Sequence, residues 1–99
     1  MDIVLQYFDS CPNWRVAESR VKSIIEQNDL DVNLTYQRIE TPEDAERYRF
    51  AGSPTVLIDG RDPFASQPAQ VGLACRTYLT GSGPAESPSV EQLEQALGV

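Results

Sequence analysis

The chain has 99 residues and carries 15 Asp and Glu against 8 Lys and Arg, a formal charge of −7, with 40% hydrophobic and 23% charged residues and no His. This is one domain of ordinary globular mixture, which excludes a disordered chain or a fibrous repeat. The acidic balance works against binding a phosphate backbone, and the missing histidine removes the commonest general base and the commonest zinc ligand.

No aliphatic run exceeds Ile3-Val4-Leu5 or Val56-Leu57-Ile58, far short of the roughly 20 residues of a membrane-spanning helix. The N-terminus has neither a basic start nor an apolar h-region, so a cytoplasmic, reducing compartment is the expectation.

Residues 3–8 are nearly continuous in apolar and β-branched types, the pattern of a strand buried on both faces. The strand stops at Asp9-Ser10-Cys11-Pro12, where Ser10 or Cys11 suits a helix N-cap and Pro12 the first helical position. A helix then runs to about Gln27, with Trp14, Ala17, Val21, Ile24 and Ile25 on one face and Glu18, Lys22 and Glu26 on the other. Val32, Leu34 and Tyr36 alternate with polar neighbours, as in a half-buried strand.

Thr41-Pro42-Glu43-Asp44 reads as a cap, a first-turn proline and first-turn acids, opening a short helix to about Arg49. Gly52 offers a left-handed stop, and Ser53-Pro54 leads into a strand over residues 55–59. Residues 60–73 are irregular, with Arg61-Asp62 as a solvated turn pair, before a short strand over residues 74–79 and a polar turn over residues 80–88. Ser89 and Gln92 form a capping-box pattern, and Val90, Leu93 and Leu97 share one face of a terminal helix ended by Gly98. The expected order is β-α-β-α-β-β-α.

Cys11 therefore follows a buried strand and opens the first helix. A thiolate there meets unpaired N–H groups and the positive end of the helix dipole, so its pKa should fall below the roughly 8.5 of a free thiol. Arg15, one turn on, adds to this, whereas a nearby Asp9 carboxylate opposes it.

The order of elements, Cys11-Pro12-Asn13-Trp14 at the strand–helix junction and the Gly52-Ser53-Pro54-Thr55 segment together resemble the thioredoxin and glutaredoxin superfamily. In particular the chain is similar to small bacterial members with a Cys-Pro-Asn-Trp motif. The resemblance implies a four-stranded mixed sheet in the order 2-1-3-4 flanked by helices. It also implies a cis bond at Pro54, which lies beside Cys11 and whose neighbouring backbone pairs with substrate. Cys11 is then the catalytic thiol, with Pro12, Trp14, Arg15, Ser53, Pro54 and Thr55 as the binding surface. Trp14 suits packing on the first helix better than a substrate platform.

Trp14 stands where two-cysteine members carry their second thiol. Exchange would then follow a monothiol route, completed by an external thiol, another protein or Cys75. Phe8, Asp9 and the negative charge disfavour specific glutathione binding. If Cys75 starts a fourth strand after the loop, it lies at the opposite pole of the sheet, roughly 17–20 Å from Cys11, whereas a disulfide needs Cα atoms within about 7 Å. A loop over residues 60–73 that folds back toward Cys11 would bring the two together.

Three functions fit these residues. The first is thiol–disulfide exchange with a protein or small-molecule thiol, needing no cofactor or metal. The second is a non-catalytic module that binds an extended partner along the Pro54 edge. The third is capture of a thiophilic, mercury-type metal. Neither nucleic acid nor membrane is expected as a partner.

Overall fold

The apolar run near the N-terminus becomes the central strand. In the computed structural model, which describes residues 1–67 and 69–99, β1 (Asp2–Tyr7) is paired on both edges. It runs parallel to β2 (Asn33–Arg38), with Ile3 opposite Leu34 and Leu5 opposite Tyr36. It runs antiparallel to β3 (Thr55–Ile58), with Ile3 opposite Ile58 and Leu5 opposite Val56. Parallel neighbours need a crossover, and α1 (Trp14–Gln27) supplies it.

The main core lies on one face of this sheet. Ile3, Leu5 and Val56 pack with Ala17, Val21 and Ile24 of α1 and with Leu93 and Leu97 of α3 (Val90–Leu97). Each fully buried Leu or Ile in such a cluster contributes about 1.5–3 kcal/mol relative to exposure. On the alternate face of β1, Gln6 is also buried, and its Nε2 donates to Gln37 Oε1 at 2.7 Å, so β1 and β2 are tied by a satisfied polar pair. A second, smaller cluster of Ile39, Ala45 and Phe50, with Phe8 and Leu73 against it, anchors α2 (Pro42–Arg47).

The caps at the start of α2 and at both ends of α3 follow the sequence closely. Thr41 Oγ1 accepts the Asp44 N–H at 3.1 Å, both halves of the Ser89–Gln92 capping box are present, and Gly98 adopts a left-handed φ of 77°.

The fourth strand departs from expectation. The sheet has three strands in the order β2-β1-β3, and β4 (Tyr78–Thr80) instead pairs antiparallel with β5 (Gly83–Ala85) as a separate hairpin. The element order is therefore β-α-β-α-β-β-β-α. The cause lies in what occupies the edge of β4. The side-chain amide of Gln67 accepts from the Leu79 N–H at 2.9 Å and donates to its carbonyl, which also receives Gln92 Nε2 at 2.7 Å. With those groups satisfied, β4 does not need β3.

Arg76 fixes the chain just before that hairpin. Its side chain is 1% exposed and forms an ion pair with Asp62 at 2.8 Å. It also donates to Thr55 Oγ1 at 3.2 Å and the Phe64 carbonyl at 3.0 Å, and lies 4.6 Å from the centre of the Tyr78 ring. Asp62 is thus a buried cation's partner rather than half of a solvated turn pair. No helix among the described residues is long and apolar enough to cross a membrane.

Arg76→Leu strands Asp62 without its counter-charge and leaves two further acceptors unpaired, and is expected to cost about 3 kcal/mol in urea unfolding. Arg76→Lys should recover little of this, because a point charge cannot reproduce three contacts made by a planar fork.

Candidate functional site

Three segments meet where β1 ends. The first is the turn out of β1, in which the Cys11 N–H donates to the Phe8 carbonyl at 2.9 Å and folds Cys11 back toward the sheet. Helix α1 begins later than the proline suggests. Residues 11–13 form a tight turn, with the Trp14 N–H on the Cys11 carbonyl and the Arg15 N–H on that of Pro12, and Asn13 takes the N-cap position. Pro12 is therefore not the first helical residue, and neither Ser10 nor Cys11 is the cap. Cys11 still lies at the entrance to the helix.

The second segment is the approach to β3. Because β3 is antiparallel to β1, with Gln6 opposite Thr55, its first residues stand beside the end of β1. Ser53–Pro54 is a cis peptide. Ser53 Oγ accepts the Phe8 N–H at 3.0 Å, Thr55 Oγ1 donates to the Gly52 carbonyl at 2.6 Å, and the Tyr78 hydroxyl donates to the Pro54 carbonyl. Ser53, Pro54 and Thr55 are all buried.

The third segment is residues 74–76, which run alongside Ser53. The Ser53 N–H donates to the Ala74 carbonyl at 2.8 Å, the Arg76 N–H donates to the Ser53 carbonyl at 2.9 Å, and Cys75 sits between them in a parallel bridge. The approach is close enough to exclude a side chain at position 52. A Cβ added to Gly52 would lie 2.9 Å from Arg76 Cβ, and its φ of +105° is one that only glycine adopts readily.

Here Cys75 is joined to Cys11 by a disulfide across a sequence separation of 64, with Cα atoms 5.8 Å apart. This corrects the expectation that Cys75 occupies the opposite pole. The loop over residues 60–73 does not carry the chain away from Cys11. It folds back, with the Gly72 N–H bonded to the Phe50 carbonyl at 3.0 Å and Leu73 packed on the Phe50 cluster. Of the partners expected for Cys11, an external thiol, another protein or Cys75, the structure bonds it to Cys75.

The structure gathers Cys11, Ser53, Pro54, Thr55 and Cys75 into one place. Trp14 and Arg15 belong to a neighbouring surface. The Trp14 ring stacks on Tyr7 at 4.4 Å and meets Tyr36 edge-on at 6.5 Å, a packing role, and the Arg15 guanidinium lies 4.9 Å over the Trp14 ring. Pro12 is exposed. Asp9 pairs with Arg38 at 2.7 Å, so a cation accompanies the acid nearest to Cys11 in sequence.

Sequence reasoning missed Arg76 and Tyr78, and gave Gly52 a helix-stop role that falls instead to Arg49, whose φ is 51°. A lone Arg between Cys75 and Tyr78 in a short, mostly uncharged stretch was the available signal for the first two.

Two sulfurs in this position can exist as one disulfide or as two adjacent thiols. Among the described residues, no group of three or more His, Cys, Asp or Glu converges as a metal site would. The chain matches no protein-family model, no curated protein and no solved structure.

Burial, the largest influence, pushes the Tyr78 phenol well above its ordinary pKa; Arg76 pulls it down and Asp62 raises it. Because the folded state favours the neutral phenol, its contribution to stability is present in full below about pH 10 and is lost as pH rises above that. Tyrosinate absorbance should show one of the four tyrosines ionising only as the protein unfolds, and Tyr78→Phe should remove that late step.

Proposed function

We propose that the chain is a thioredoxin-like thiol–disulfide exchange protein whose exchanging pair is Cys11 and Cys75. The observation that carries this reading is the disulfide itself, formed at the mouth of α1 and flanked by the Ser53–Pro54 peptide. The crossover helix between parallel strands and the antiparallel third strand support the same family likeness. Thiol–disulfide exchange needs no His, metal or cofactor, which suits this composition.

In the reaction, an external thiolate attacks one sulfur of the Cys11–Cys75 bond and the electron pair passes to the other. A second external thiol then releases the mixed disulfide. Overall the protein gains two electrons and two protons, and two external thiols become one external disulfide. The entrance to α1 stabilises negative charge on Cys11 as the bond opens. Small-molecule or protein thiols are the partners; the charge of −7 disfavours nucleic acid.

The binding-module reading is weaker for this oxidised form, because the Ser53 backbone edge is already occupied by residues 74 and 76. Adjacency of the two cysteines favours one second reading. Once reduced, they could hold a soft, two-coordinate ion such as mercury(II) between their sulfurs.

Equilibration of the native protein in thiol/disulfide buffers, followed by acid trapping and mass analysis, tests the exchange reading. The expected result is a reversible two-electron transition in folded protein, with loss of the internal resolving thiol by Cys→Ser substitution arresting the exchange as a mixed disulfide on the cysteine that remains. A bond that yields to small thiols only after unfolding would instead make it a structural staple. In the chain-entropy model, closing a loop of this separation stabilises by about 4 kcal/mol, so the reduced protein should unfold at lower urea.

A further inference from the structure

The two sulfurs of the disulfide are not equivalent to a solvent-borne reagent. Cys11 is 2% exposed, so no thiolate reaches its sulfur while the bond is intact. Cys75 is exposed and lines a groove of about 220 Å³ whose other walls include the small residues Ala51, Gly52, Ala69 and Ala74. Cys11 is not part of that groove.

We propose that Cys75 is the sulfur through which exchange is entered and that Cys11 is the leaving thiol. This rests on the exchange reading above and assigns its direction. The incoming thiolate R–S⁻ bonds to Cys75 Sγ from the groove, the Cys75–Cys11 bond breaks, and the electron pair goes to Cys11 Sγ. The product is a mixed disulfide on Cys75 and a Cys11 thiolate.

The leaving side favours the same direction. Exchange is faster when the departing sulfur carries its charge easily, and Cys11 departs into the turn that opens α1, where the helix presents its positive end. Asp9, which would oppose a second negative charge, is paired with Arg38 at 2.7 Å. Cys75 has no comparable setting, since it lies between residues whose backbone groups are engaged with Ser53. By microscopic reversibility, the reduced protein attacks an external disulfide with Cys75, and Cys11 then displaces the bound thiol to restore the internal bond.

The groove is smaller than the roughly 300–1,000 Å³ of a typical ligand pocket. It therefore suits a compact thiol that brings little beyond its sulfur and a short chain.

The test uses the oxidised wild-type protein and cysteamine. Samples are quenched with acid from the first seconds onward, the released thiol is alkylated with N-ethylmaleimide, and both cysteine peptides are mapped. At the earliest time, cysteamine should be found on Cys75 with the alkyl group on Cys11, in about tenfold preference over the reverse, because the accessible sulfur is the one attacked. Cysteamine on Cys11 with alkylated Cys75 would overturn the assignment and leave the exchange reading standing. A bond that yields neither a mixed disulfide nor free cysteine thiols in protein that remains folded would overturn both.

Discussion

Ser53 uses every hydrogen-bonding group it has to hold the site together. Its hydroxyl accepts from Phe8 at the exit of β1, its N–H donates to Ala74, and its carbonyl accepts from Arg76. The residue is 1% exposed, so none of these groups can fall back on water. A made hydrogen bond nets only about 0.5–1.5 kcal/mol, but a buried group left without a partner costs about 1–3 kcal/mol. The three contacts are thus closer to a condition for folding this corner than to an addition to its stability. They bring together the end of β1, the start of β3 and the Cys75 segment, and the two cysteines meet because those three meet.

Arg76 closes the same corner from the inside. One guanidinium reaches Asp62 and Phe64 in the irregular loop and Thr55 at the start of β3, while its flat face covers Tyr78. Tyr78 in turn donates to the Pro54 carbonyl. Loop, hairpin and strand entry therefore share one buried cation. Burial of a charge is costly, and it is tolerated here because the ion pair and two further acceptors compensate for lost hydration.

Local signals are legible in the sequence, and distant ones are not. The apolar run of β1, the Thr41–Pro42 start and the Ser89–Gln92 box each involve residues within a few positions of one another, where side-chain type and spacing carry the information. The start of α1 was less legible, since Pro12 suits a first turn of either kind and the choice lies with the Cys11–Phe8 turn. The path of residues 60–73 was not legible at all. It depends on Arg76 finding Asp62, Gln67 finding Leu79 and Leu73 finding Phe50, pairs separated by 12 to 23 positions with no period to announce them. The path of that loop is what brings Cys75 to Cys11 instead of to the opposite end of the sheet, while the single-thiol expectation rests separately on Trp14 at the position of the motif's second thiol.

The disulfide also determines how the chain would respond to tension. With Cys11 and Cys75 bonded, a pull on the two ends passes through the sulfur bridge, and α1, β2, α2 and β3 lie inside the closed ring, out of the line of force. Only the segments before Cys11 and after Cys75 can be drawn out. Opening the bond releases a separation of 64 residues, roughly 200 Å of additional contour at about 3.3–3.6 Å per residue. The redox state of one bond therefore sets the extensible length of the molecule.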